Sequence, residues 1–455
     1  MRLAIVGGRV FDPAGGEAGQ ERDLYSDNGY LVEYLPTVDQ VLNVHGLAVT
    51  PAGLEIRSSV ARFGQNFLRL WGGLPSPRQL GETYALLGYT HIHEPYLTLQ
   101  TANYVHQELA AVPFVDTSAS LVLNLRDLDL WLKDPAKQED IGEALAYLLG
   151  ATRTLDLRLV EPFVRFRQEF YRYRTMPPEA VLNHLLPLLQ RHDLRLALEA
   201  TPELLSLDVP ATPHLHLSGL GPALHTDALL ERAQTLLAQG ISADMGLLPP
   251  VLGADIPSLP VKVDLGWFQP FELNQATAST TAARALQLAL VGHTAKLAFS
   301  AASLGQTPPR QFPSLFAWLG DAASRRQDWG NFAPTLEYSF LAWLRATRTL
   351  PAHYLGLPDR GHLQPGARTD VAIYDLPRSG SWPAGCQRCR FLLKAGEMVV
   401  KDGQIVGPHV AKSTYYHHPQ VAPNALVADL FRQRSFRPEN LQVRSVGHGQ
   451  WHKVS

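Results

Sequence analysis

Two neighbouring stretches decide the fold: residues 140–162, DIGEALAYLLGATRTLDLRLVEP, and residues 179–200, EAVLNHLLPLLQRHDLRLALEA. Each is a helical pattern that gives way to a short apolar run, LDLRLVEP in the first and LRLALEA in the second. The same rhythm extends upstream to YTHIHEPYL at 89–97 and downstream to PHLHLSGLG at 213–221. Strands alternating with helices at this spacing build parallel βα units. The span from residue 51 to residue 352 accommodates an eightfold barrel, which takes about 250 residues. An open doubly wound sheet is the alternative, but no G-x-G-x-x-G turn follows the first strand.

The texture differs at both ends. Residues 1–50 read as short strands, LAIVGGRVFD and YLVEYLP, with Gly-Gly and Asp-Asn-Gly turns between them. Beyond the barrel, residues 353–411 return to short β segments, and Lys401-Asp402-Gly403-Gln404 has the chemistry of a hairpin turn. The expected architecture is therefore an α/β chain. A (β/α)8 TIM-like barrel is flanked by a small β-sandwich built from N- and C-terminal segments. Residues 412–455 form a polar extension with one helical piece, ALVADLFRQ.

Composition excludes several classes. The 455 residues are 45% hydrophobic and 18% charged, with a formal net charge of -2, so total charge points to neither nucleic acid nor an acidic membrane. The basic run Arg165, Arg167, Arg172 and Arg174 reads first as a solvated face and second as an anion-binding groove. The only cysteines, Cys386 and Cys389, are too few for a thiolate zinc site and lie outside a thioredoxin-like unit, so structural thiols are expected. No stretch approaches the ~20 apolar residues of a membrane helix, and the N-terminus carries no secretory h-region. A cytoplasmic location is expected.

The chain resembles the amidohydrolase superfamily, in which a terminal β-sandwich brackets a metal-binding barrel. Within it, the chain is similar to the A subunits of formylmethanofuran dehydrogenase and of the methylotroph formyltransferase/hydrolase complex. The residues that carry the likeness are TPAGLEIRSS at 50–59, LLGYTHIHEP at 86–95, LLGATRTLDLRLVEP at 148–162 and HLHLSGLG at 214–221. ATRTLPAHYLGLPDRGHLQPGARTDVAIYDL at 346–376 resembles the superfamily's passage from barrel to sandwich, and GEMVVKDGQIV at 396–406 supports it. The resemblance implies sister subunits, a methanofuran-type formyl carrier with an acidic tail, and a zinc-dependent hydrolysis of N-formyl groups.

The departures from that pattern bear on the chemistry. Where active members end the first strand in His-x-His, this chain has Arg57 and Ser59. Where the resemblance places a carbamylated lysine, it has Arg158, and a guanidinium stays protonated and cannot form a carbamate. The stretch matching the last strand, AFSAASLG at 298–305, offers Ala301 in place of an aspartate. His214 and His216 remain as candidates for the fifth-strand ligand, with His225 beyond them. His91 and His93 form a second His-x-His, and the two pairs together are the only visible basis for a relocated metal site. Hydrogen-bonded barrel histidines are the commoner outcome.

Arg57 and Arg158 could clamp a carboxylate by forked hydrogen bonds, but internal pairing with Glu55 and Glu161 is favoured, since a buried guanidinium without an anion is costly. Glu199 stands as a lone acid without an evident partner, and no G-x-S-x-G elbow supports serine chemistry. Trp267, Phe268 and Phe271, near Pro270, read as packing before they read as a lid. The expected function is a subunit of a formyl- or formate-handling complex, with a degenerate hydrolase site and no bound metal. Two alternatives stand beside it: an active hydrolase of a C–N bond with a rebuilt zinc site, and a non-catalytic interaction module.

Overall fold

The alternation between residues 51 and 352 is realised as eight strands lying in chain order within one parallel sheet. The chain is described here by a computed structural model. The described residues are all except 59, 62–74, 124–127, 129–130, 135–136, 161–175, 248–274, 293–295, 302–308, 330–334, 378–380, 408–410, 434–436, 438–440, 442, 444–449 and 455. Seven short strands come first: β1 (Arg2–Val6), β2 (Arg9–Asp12), β3 (Glu17–Glu21), β4 (Leu24–Asp27), β5 (Tyr30–Val32), β6 (Gln40–Asn43) and β7 (Ala48–Pro51). The parallel series is β8 (Gly53–Glu55), β9 (Tyr89–Leu97), β10 (Asp116–Val122), β11 (Asp156–Leu159), β12 (Leu196–Glu199), β13 (Leu215–Ser218), β14 (Ser242–Asp244) and β15 (Leu297–Ala298). Its strands are buried on both faces, as parallel strands covered by helices must be.

Helices return the chain between these strands. The helix Gln138–Thr152 buries Ile141, Ala144, Leu145, Leu148 and Leu149 on one side, and it stops where Arg153 turns left-handed. Pro77–Leu86 starts from a capping box between Ser76 and Gln79.

The sheet is curled. The side chain of Arg57, just past β8, reaches Ser218 at the end of β13. Eight strands in this order are expected to close on themselves. Among the described residues, however, β8 and β15 are not paired with each other. A helical segment, Arg345–Thr349 followed by Leu350–Leu355, lies between them. The amide of Phe299 donates to Ala346 O at 2.7 Å, and Arg348 Nε donates to Pro51 O at 3.3 Å. Leu54, Ile56, Ala298, Ala352 and Leu355 pack together in that gap.

Two further sheets draw on both ends of the chain. One has the order β5-β4-β1-β6. The other combines β3, β2 and β7 with β16 (Val371–Tyr374), β17 (Phe391–Lys394), β18 (Glu397–Lys401) and β19 (Gln404–Ile405). Leu3, Ile5 and Leu24 from the first share one apolar core with Val10, Val49, Val371, Ile373 and Leu393 from the second. The turn between β18 and β19 is a two-residue hairpin with Asp402 and Gly403 at positive φ, which Asp-Gly provides. Cys386 and Cys389 are buried free thiols, and burial pushes Cys389 up to about 12, which keeps it inert.

The C-terminal extension differs from its reading as a polar tail with one helix. It adds β20 (Ser413–His417) and β21 (Gln450–Val454), which pair in parallel. β20 joins β10 through Thr117 and Thr414. The reason lies in the register: β11 meets β10 only from Ser120 onward, so the first half of β10 has a free edge.

Arg360 fastens these parts together. Buried, it donates to Asp370 at 2.8 Å, to Asp116 at the head of β10, and to Tyr415 Oη on β20 at 2.8 Å. Lys394 on β17 adds a second contact to Asp116 at 2.7 Å. Arg360→Met removes the guanidinium that two buried carboxylates share. We expect a loss of about 3–5 kcal/mol in stability, read by chemical or thermal denaturation.

Candidate functional site

The polar interior of the parallel sheet is organised around Asp244, the last residue of β14. Its carboxylate accepts from Ser218 Oγ at 2.7 Å, from the Gly219 amide at 2.8 Å, from His216 Nε2 at 3.1 Å and from Ser300 Oγ. Burial opposes its ionisation, yet Arg57, His216 and Ser300 hold it well below the usual carboxylate range. Asp244 therefore stays charged, and it needs a cation nearby.

Arg57 is that cation. Its Nη1 donates to Ser218 Oγ at 2.9 Å and lies 3.8 Å from Asp244, while Nη2 donates to Glu199 at 2.9 Å. Tyr96 Oη also donates to Glu199, at 3.2 Å. Although burial works against the charge, Tyr96, Glu199 and Asp244 together raise the guanidinium's pKa above its ordinary value. The backbone permits this only because residue 219 is glycine. Gly219 has φ +70°, and a Cβ there would stand 2.2 Å from Arg57 Nη1.

Arg158 projects from β11 into the same place. Its Nη1 donates to Ser218 Oγ at 2.9 Å, so one hydroxyl accepts from two guanidiniums and donates to Asp244. Arg158 is fully buried, and its Nε and Nη2 have no hydrogen-bond partner among the described residues. The Tyr96 ring lies 5.9 Å from its guanidinium carbon.

The histidines are committed elsewhere. His91 Nε2 and His93 Nδ1 both lie 2.8 Å from Ser118 Oγ, and His93 Nε2 lies 2.7 Å from Ser120 Oγ. One hydroxyl between two imidazoles can donate to only one of them. Asp156 Oδ1 sits 3.5 Å from His93 Nε2, which places the His93 proton on that nitrogen and makes His91 Nε2 the donor to Ser118. His91 Nδ1 is then a lone pair, consistent with its lack of a partner among the described residues. Burial pushes His93 down to about 4, and burial and Arg360 hold His91 well below the ordinary range, so both are neutral. His216 stacks on Tyr354 with ring centroids 3.9 Å apart, and Tyr354 Oη donates to Asp156 at 2.5 Å. His214 precedes the strand and its Nδ1 meets Leu194 O at 3.0 Å, while His225 Nε2 meets Pro222 O.

The four histidines of the relocated site thus do not converge. His91 and His93 share a serine, His216 joins Asp244, and His214 stands at the opposite end of its strand. Among the described residues, no group of three or more His, Cys, Asp or Glu side chains is arranged as metal ligands. The donor set itself fails the test for a zinc pair. The two carboxylates best placed to coordinate, Glu199 and Asp244, are already neutralised by a guanidinium, and a second guanidinium stands beside them.

Several expectations need correction. The partners of Arg57 are Glu199 and Asp244, not Glu55, whose Oε1 instead accepts from the Arg57 amide at 2.8 Å. Glu199 is not a lone acid. The site is not an unbalanced positive patch, because two carboxylates answer its two cations. Ala301 offers only a β-bridge to Leu247, but Ser300 beside it bonds Asp244. Ser59, Glu161, the basic run Arg165 to Arg174, and Trp267, Phe268, Pro270 and Phe271 lie outside the described residues. Sequence reasoning overlooks Asp244 and Ser218. The available signal is an acid closing a short strand-like run, ISAD, where barrel strands carry their functional residues.

Comparison with known proteins agrees with this architecture. An amidohydrolase family model matches residues 304–407. The A-type subunit of the formyltransferase/hydrolase complex Fhc from Methylorubrum extorquens is 24% identical, over 89% of this chain and 89% of that protein. Protein FwdA of Methanocaldococcus jannaschii is 22% identical, over 100% of this chain and 99% of its own length. Among solved structures, the FhcABCD complex of Methylorubrum extorquens with methylofuran contains a chain that superposes with a TM-score of 0.79 at 20% identity, with full coverage of both chains. The likeness to these A subunits runs along nearly the whole chain, and the amidohydrolase model covers its residues 304–407. No helix among the described residues is long and apolar enough to cross a membrane.

The geometry of the site sets the cost of disturbing it. Ser218→Ala removes the hydroxyl that accepts from both Arg57 and Arg158 and donates to Asp244, and should cost about 2–3 kcal/mol. Gly219→Ala should cost at least about as much, from the forced conformation and the displaced Arg57. Denaturation of each variant against the parent reads both.

Stability should also depend on pH in a defined way. Burial pushes Glu55 up to about 8 from an ordinary 4.5, so its stabilising contribution is complete below pH 4.5 and is lost as pH rises to about 8. His93 and His106 are pushed down to about 4 from 6.5, so theirs is present above pH 6.5 and is lost as pH falls toward 4. Thermal stability should therefore peak near pH 6.5, with a decline on the alkaline side that Glu55→Gln flattens. A melting-temperature series from about pH 4.5 to about pH 8.5 checks the shape, each tenfold change in a proton-binding constant being worth about 1.4 kcal/mol.

Proposed function

We propose that this chain is the A-type subunit of a formylmethanofuran dehydrogenase-like or formyltransferase/hydrolase-like complex, in which its own hydrolase site has been replaced by an ion-paired pocket. The observation that carries the first half is the full-length likeness to a chain of the methylofuran-bound complex, together with the match to the Fhc protein. The second half rests on Arg57, buried between Glu199 and Asp244 where a chelate would need those carboxylates free. The eight strands act as a (β/α)8 barrel closed by the helical segment after Arg345. We divide the chain into N-terminal strands (1–50), barrel (51–352), C-terminal sheet segment (353–411) and extension (412–455).

In this reading the protein works in the cytoplasm, in one-carbon metabolism, as a pseudoenzyme. It holds its sister subunits together or binds a methanofuran-type carrier. An N-formyl hydrolase of this superfamily relies on a metal to activate water and polarise the formyl oxygen. Arg57, Arg158, Ser218 and Asp244 supply neither a metal ligand set nor an unpaired general base, since each polar group that could move a proton is engaged in the ion-pair network. His91, His93, His214 and His216 act as structural hydrogen-bonding groups.

The test is isolation of the protein from its native cells, with analysis of the chains and metals that accompany it. Formyltransferase-like chains should co-elute, zinc should fall far below one ion per chain, and the isolated chain should release no formate from N-formyl substrates. Stoichiometric zinc with formate release would establish instead a rebuilt hydrolase. Elution alone, without partner chains, would remove the complex.

A further inference from the structure

The four-stranded sheet β5-β4-β1-β6 turns Leu3, Ile5 and Leu24 inward to an apolar core. Strand alternation sends Ala4, Val6, Tyr25, Val32 and Val41 to the other face. A sheet with one face on a core ordinarily carries polar side chains on the other. Here that outer face is apolar instead. Tyr25 and Val41 flank a buried Ala4 on the neighbouring strands, with Val32 beyond Tyr25. Tyr34, past the end of β5, lies edge-on to Tyr25 with ring centroids 5.4 Å apart. Scattered exposed apolar side chains are ordinary, but a cluster of them marks an interaction surface. Among the described residues, four of the seven exposed large apolar side chains, Met1, Tyr30, Tyr34 and Val41, belong to this sheet or its borders. Val41 and Tyr34 are 61% and 66% exposed. The other three, Val291, Leu336 and Val406, come from separate parts of the chain.

Carboxylates border this face. Asp23 precedes β4 and Glu33 follows β5 at one end of the sheet, and Asp39 precedes β6 at the other. All three are exposed. On the strands themselves the only charged side chains are Arg2 and Asp27, which lie 3.9 Å apart. Arg2 also donates to Thr37 Oγ1 at 3.2 Å, and the Met1 ammonium donates to Asn28 Oδ1 at 3.2 Å. Residues 1–45 hold seven Asp or Glu against three Arg, and no lysine occurs before Lys133. An apolar centre within a polar rim is the anatomy of a protein–protein interface. The sign of the rim selects the partner. A second copy of this chain brings the same carboxylates to the same rim, so a twofold pairing sets like charges against each other. A nucleic acid or an anionic membrane is repelled for the same reason.

We propose that the outer face of the β5-β4-β1-β6 sheet is where a sister chain of the complex docks, and that this sister chain presents apolar side chains bordered by lysine or arginine. Val41 and Tyr34 enter the apolar centre of the interface, and Asp23, Glu33 and Asp39 meet the cations around it. β6 is the edge strand of the sheet and is unpaired on its outer side among the described residues, so the partner can reach its backbone as well as its side chains. This inference rests on the proposed function, which supplies the sister chains. It adds which face of this chain they use and which charge they carry.

The experiment isolates the complex from native cells through a C-terminal tag on the full-length chain and identifies the accompanying chains by mass spectrometry. Hydrogen exchange is then compared between the complex and the separately produced chain. Residues 25–43 should exchange more slowly in the complex. Val41→Glu combined with Tyr34→Glu should lower the recovery of the sister chain per tagged chain at least about tenfold. The melting temperature of that double variant should change little, because both side chains stand in solvent. Glu33→Lys should lower recovery about threefold, and added salt should lower it for the parent. Undiminished recovery with the double variant overturns this proposal and leaves the proposed function standing. If the double variant does not fold, hydrogen exchange in the parent decides, and equal exchange of residues 25–43 in the free and bound chain overturns the proposal. A dimer of the isolated chain that Val41→Glu dissolves overturns it in favour of a second copy. Absence of any formyltransferase-like chain from the parent isolate overturns both.

Discussion

The guanidinium of Arg360 holds three separate parts of this chain in one register. It reaches Asp116 at the head of β10, Asp370 beside β16, and Tyr415 on β20. A buried cation with two buried carboxylates has few stable arrangements, because each charge left unmatched in the interior costs several kilocalories per mole. That demand ties the seven-stranded sheet, through Asp370 beside β16, to β10 and β20 of the parallel sheet. Arg360 and Asp370 lie within the stretch, 304–407, that an amidohydrolase family model matches. Asp359-Arg360-Gly361 and Thr369-Asp370 supply the charges, and Gly361, at φ +75°, lets the turn pass within contact of the Arg348 carbonyl.

The same physics operates inside the parallel sheet with a different outcome. A binuclear metal site is two dications matched by anionic ligands. Here one dication's worth of positive charge is delivered by Arg57 and Arg158, and Glu199 and Asp244 answer it. The exchange is more than loss of ligands. Arg57 takes up the carboxylates, Gly219 makes room for its Nη1, and Ser218 bridges both guanidiniums to Asp244. Restoring histidine at residue 57 would leave Asp244 and Glu199 unneutralised and would still face Arg158, so reverting one position cannot rebuild a metal site. Several changes would have to be made together.

Much of the fold is legible in the sequence because it rests on local pattern. The helix–strand rhythm from residue 140 to residue 200 is periodicity within one segment, and the Asp402-Gly403 turn is backbone chemistry within two residues. The site is half legible. Arg57 and Arg158 stand out because they replace types the resemblance calls for. Their partners do not, because Glu199 and Asp244 lie 142 and 187 residues from Arg57 in the chain, and nothing local marks them as its counter-ions. Pairing Arg57 with Glu55 follows only from proximity in sequence. Residues two apart on a strand share a face, yet here the chain has left the strand, and Glu55 turns to the Arg57 amide instead. β20 and β21 are hidden for a related reason: their pairing depends on an edge of β10 that only the register with β11 exposes.

The His-x-His at 91 and 93 shows how a motif can be genuine in spacing and empty in meaning. Strand period puts both rings on one face, as a metal would require. But β10 lies beside them with Ser118 and Ser120 on that same face, and three of the four ring nitrogens are taken by those two hydroxyls. Neutral imidazoles in this chain pass hydrogen bonds sideways between strands instead of projecting lone pairs to one point. The interior of the curled parallel sheet is thus lined by a polar layer whose members bond chiefly to one another. Against that background the buried atoms left without a hydrogen-bond partner, among them Arg158 Nε and Nη2, Glu55 Oε2 and Asp156 Oδ1, mark where the packing of charge stops short of full pairing.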